Sequence, residues 1–84
     1  MKSEETKLRH FIIEKIFTAG LTSDQWFNIT NTAARLYKEN PNLNFKNLFR
    51  EIADVKEKGG RVPYEYKYLI EMLADVIIIE EMFD

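Results

Sequence analysis

Residues 68–84 read Tyr-Leu-Ile-Glu-Met-Leu-Ala-Asp-Val-Ile-Ile-Ile-Glu-Glu-Met-Phe-Asp. Their apolar residues recur at helical spacing, but on more than one face. Val76–Ile79 has strand-like propensity, yet it is embedded among helix formers and no other segment offers a pairing strand. The stretch therefore reads as a helix, and a helix apolar on several faces belongs at the centre of an all-α fold. It carries five carboxylates (Glu71, Asp75, Glu80, Glu81 and Asp84) and no basic residue. Three of them stand at its C-terminal end, where the helix dipole already presents partial negative charge.

Three further helices precede it, separated by short punctuation. The first is expected over about residues 4–19, with Ser3 as N-cap, Glu4 and Glu5 in the first turn and Gly20 as the left-handed stop. Its stripe is Leu8, Phe11, Ile12 and Ile16, widened by Ile13 and Phe17. The second spans 23–39, opened by a Thr22/Gln25 capping box and ended by Asn40-Pro41. Trp26, Ile29, Ala33, Leu36 and Tyr37 form its apolar face. The third spans 45–58, from an Asn44 cap to Gly59-Gly60, with Phe45, Leu48, Phe49, Ile52 and Val55 on one side. Pro63 opens the fourth, expected over 63–83 with Leu69, Met72, Leu73, Val76, Ile79 and Phe83 as its core face. Loops of three or four residues make consecutive helices neighbours, so the expectation is one all-α domain of four helices covering 1–84.

Composition narrows the function classes. Apolar residues at 45% are too many for a disordered chain, and a net charge of −2 argues against general nucleic-acid affinity. There is no cysteine, which excludes disulfides and thiolate chemistry. No apolar leader precedes the first helix, and no apolar run approaches the ~20 residues of a membrane span. The expectation is a cytoplasmic protein without membrane insertion. Nine Ile, six Asn and eight Lys against four Arg are the usage of an AT-rich genome, as in low-GC bacteria and their phages.

Chemistry finds little to work with. His10 is the only histidine, the two serines stand at helix starts, and Gly59-Gly60 lacks the strand and Gly-Lys-Ser/Thr of a phosphate loop. No catalytic residue, metal site or cofactor is expected. A helix-turn-helix reading of helices two and three would use Lys46, Asn47 and Arg50, but Glu51, Asp54 and Glu57 are interleaved there and would repel a phosphate backbone. Protein binding fits better. Ile70 and Ile77, seven residues apart, lie to one side of the expected core face of helix four, with Ile78 and Met82 near them. Together with Glu80, Glu81 and Asp84 they suggest a surface closed by a protein with basic and apolar groups, or by a second copy. Arg61, Tyr64 and Tyr66 at the start of the helix supply residue types enriched at binding hot spots. The expected function is that of a small non-catalytic regulator or inhibitor, with DNA binding through 45–58 as the alternative.

Overall fold

In the computed structural model the described residues are 2–80, with side chains from residue 4 onward. They form α1 (Lys2–Phe17), α2 (Ser23–Glu39), α3 (Phe45–Lys58), a 3₁₀ turn at Tyr64–Tyr66 and α4 (Lys67–Glu80), with no strand among them. α4 packs against both α1 and α2, and α3 packs against α2. One cluster of buried side chains runs through all four helices, including Ile12, Ile29, Leu48, Ile52, Leu73 and Ile77. The radius of gyration is 12.0 Å, the value of about 12 Å expected for a folded chain of this length.

The middle of the chain follows its local signals. The Thr22 hydroxyl accepts from the Gln25 backbone N–H at 3.2 Å while the Gln25 side chain accepts from the Thr22 N–H at 3.0 Å, a closed capping box. Asn44 caps α3 by accepting from the Asn47 N–H at 3.4 Å. Gly59 then leaves α3 with φ 83° and ψ −179°, a conformation essentially reserved for glycine.

The ends of α1 differ from expectation. The helix begins at Lys2, so Ser3 lies within it and not at the position before its first residue. It also ends earlier, at Phe17, and the left-handed residue is Ala19 (φ 55°), not Gly20. The Gly20 N–H donates to the Lys15 carbonyl at 3.0 Å and the Ala19 N–H to that of Ile16 at 3.1 Å, which is a Schellman closure. An alanine in this conformation costs roughly 1–2 kcal/mol, and burial of the Ala19 methyl offsets part of it. Leu8 and Phe11, expected in the α1 stripe, are exposed; Ile12, Ile16 and Phe17 carry the contact with the core.

Pro63 does not open α4 directly. Val62 is buried and its N–H donates to the Phe17 carbonyl at 2.8 Å, so the chain is tied to the end of α1 before it turns. The Tyr66 N–H then reaches the Pro63 carbonyl at 3.1 Å in a 3₁₀ turn, a common tightening at a helix start, and regular α-helix begins at Lys67. No helix among the described residues is long and apolar enough to cross a membrane.

Candidate interaction surface

α4 buries Leu69, Ile70, Leu73, Ala74 and Ile77. Ile70 and Ile77 are 0% exposed, which overturns their reading as surface contacts. Conversely Ile79, expected in the core, is 79% exposed, and Met72 and Val76 are only partly covered. The helix does have two apolar faces, but they exchange roles relative to the expected arrangement. Ion pairs accompany this orientation. Arg9 of α1 holds Asp75 (Nε–Oδ1 2.6 Å) and Glu71 (3.6 Å), while Arg35 of α2 holds Glu80 at 2.8 Å. At about 100° per residue, the arc between these two sets of acids is the one occupied by Ile70, Ala74 and Ile77. With α1 on one side and α2 on the other, that arc faces inward. Such exposed pairs add only about 0–1 kcal/mol each, so burial of Ile70, Leu73, Ala74 and Ile77 carries most of the preference for this rotation and the pairs only reinforce it.

Glu80, the described acid at this helix end, therefore has a partner within the chain. Arg35 neutralises Glu80, and the Glu80 carboxylate in turn holds the guanidinium more firmly charged. Glu80 on its own gives no reason to invoke an external cation. Glu81 and Asp84, like Met82 and Phe83, lie outside the described residues.

Arg61, Tyr64 and Tyr66 are brought to the loop that meets the end of α1. Arg61 grips Glu14 with both guanidinium nitrogens, at 2.5 and 3.1 Å, and lies over the Phe17 ring at 5.2 Å. The Tyr64 ring stacks on Phe17 at 6.4 Å with the Lys67 ammonium over its own ring at 5.3 Å. These residues form an internal clasp between the first helix and the entry to the last, although Tyr64 still leaves 72% of its surface open. Tyr66 is partly buried; its hydroxyl is pushed to higher pKa by desolvation first and then by the charges of Glu51 and Glu65.

Lys46 and Arg50 are exposed on α3, and Asn47 is half-buried at its first turn. The Lys46 ammonium lies over the Tyr37 ring at 5.3 Å. Asp54 and Glu57 remain exposed on the same helix, so the basic residues do not form an unbroken track.

Met72, Val76 and Ile79, which the periodicity assigned to the core face, instead line up with Tyr68 on the open side of α4, at i+4, i+8 and i+11 from it. Tyr68 is 65% exposed, and together the four make a partly open apolar stripe along α4. Next to Ile79 an open groove of about 560 Å³ separates α1 from α4, lined by Glu5, Thr6, Arg9, Asp75, Ile78 and Ile79. Apolar anchors beside a charged rim are the anatomy of a protein-binding surface. The signal was present in the sequence as the second apolar face; which face stays open is decided by how α4 packs against α1 and α2. No protein-family model, curated protein or solved structure matches this chain.

Proposed function

We propose that this chain is a non-catalytic intracellular regulator that binds another protein and alters its activity, using the Tyr68–Met72–Val76–Ile79 stripe of α4. The observation that carries the reading is Ile79: a large aliphatic residue, 79% exposed, on a helix whose opposite face is already fully packed. Leaving such a side chain in water forgoes about 1.5–3 kcal/mol that burial would return. Tyr68 supplies a second anchor with a polar tip, and the Arg9–Asp75 pair supplies the polar rim. The occupant is a partner with its own apolar face, or a second copy of the chain.

Affinity capture from the native host, run in parallel with the wild type and a Tyr68→Ala/Ile79→Asp variant, tests this reading. Both proteins should show the same helical circular dichroism and melting temperature, and proteins captured by the wild type should be lost from the variant. Equal capture by both would exclude the stripe as the binding surface. Sedimentation of the wild type across concentration shows whether the lost partner is the chain itself.

A further inference from the structure

A second surface lies across α2 and α3. Thr30, Ala33, Ala34, Tyr37, Phe45, Lys46 and Phe49 line an open groove of about 210 Å³, almost wholly apolar. That is smaller than a drug-sized pocket of roughly 300–1,000 Å³ and suits a protruding aliphatic side chain. Ala33 and Ala34 make the room on the α2 side, while the Thr30 hydroxyl is already satisfied by the Trp26 carbonyl at 2.8 Å. Phe49 continues the apolar surface by meeting Trp26 edge-on at 5.9 Å. A lysine stands at each end: Lys46 over Tyr37 at 5.3 Å and Lys56 over Trp26 at 5.6 Å. Ten residues apart on α3, they are separated by about 15 Å along the helix.

These two lysines differ from the arginines elsewhere in the fold. Arg9, Arg35 and Arg61 each hold a carboxylate from another element, whereas Lys46 and Lys56 make no ion pair among the described residues. They flank an apolar slot with positive charge that no carboxylate among the described residues pairs with. We propose that the α2–α3 groove binds an acidic amphipathic peptide segment, its aliphatic side chain in the slot and its carboxylates on Lys46 and Lys56. A nucleic-acid strand fits less well, because the slot between the two lysines is almost wholly apolar, whereas a phosphate backbone needs a continuous run of cations. The groove is separate from the α4 stripe and does not depend on it.

Trp26, the only tryptophan of the chain, reports directly on this surface. The full chain is titrated at low salt with a synthetic amphipathic peptide that carries leucines on one face, glutamates flanking them and no aromatic residue. A saturable change in Trp26 fluorescence is expected, weakened on the order of tenfold in Lys46→Glu/Lys56→Glu and retained in Ile79→Asp. Ala34→Phe, which fills the slot without touching either charge, should also abolish binding while far-UV circular dichroism stays that of the wild type. The proposal is overturned if the peptide does not bind, if charge reversal leaves its affinity unchanged, or if a single-stranded oligonucleotide binds more tightly.

Discussion

Thr32 sits in the middle of α2 at 1% exposure, and its hydroxyl has no hydrogen-bonding partner. A buried hydroxyl without a partner loses its hydration with nothing in return, a cost of about 1–3 kcal/mol. Valine has the same shape and a similar helix propensity. Thr32→Val is therefore expected to raise stability by about 1 kcal/mol, seen as a higher urea midpoint with an unchanged slope. A lower midpoint would mean that the hydroxyl is satisfied in solution. The Thr22/Gln25 box and the Asn44 cap show the opposite situation: each needs only the residue and its neighbours three positions on. For that reason the limits of α2 and α3 were legible in the sequence, and the end of α1, where Ala19 adopts the conformation expected of Gly20, was not.

Among the elements, α4 carries the sharpest prediction. Ile77 is fully buried and Ile79 is the most exposed large aliphatic side chain of the same helix, two residues away. Ile77→Asp would bury a carboxylate without a partner, a cost of several kcal/mol, in a domain whose whole stability is about 4–12 kcal/mol. It should leave the chain largely unfolded at room temperature. Ile79→Asp should shift the urea midpoint by no more than about 0.5 kcal/mol equivalent. If the two variants behave alike, the orientation of α4 described above is wrong.

The clasp between α1 and the 3₁₀ turn makes a prediction about pH. The Arg61 guanidinium holds the Glu14 carboxyl below its ordinary value of 4.5. A carboxylate whose pKa is lower in the folded chain stabilises the fold above the unfolded value, and that contribution disappears as pH falls through the folded one. The stability difference between wild type and Glu14→Gln should accordingly be present at neutral pH and shrink below pH 4.5. A difference that stays constant down to strongly acid pH would show that Glu14 acts through something other than its charge.

For the molecule as a whole, the first and last helices of the described chain are packed together, and the buried cluster is shared by all four. No helix has a core of its own. Unfolding should be a single cooperative transition, with Trp26 fluorescence, which reports on α2 and α3, and far-UV circular dichroism, which reports on every helix, giving coincident urea curves. A separate early transition in either signal would identify a helix that melts alone.

Helix number, the bounds of α2 and α3 and the all-α class follow from periodicity, caps and breakers, which act over three or four residues and are written in the chain. The two apolar faces of α4 were equally visible there. The face that turned inward is the one packed against α1 and α2, and the acids on its flanks pair with Arg9, 62 and 66 positions upstream, and with Arg35, 45 positions upstream. Local pattern carries no information about partners at that distance. Packing against α1 and α2 buried Ile70 and Ile77, left Tyr68 and Ile79 in water, and so moved the candidate binding surface to the other side of the helix.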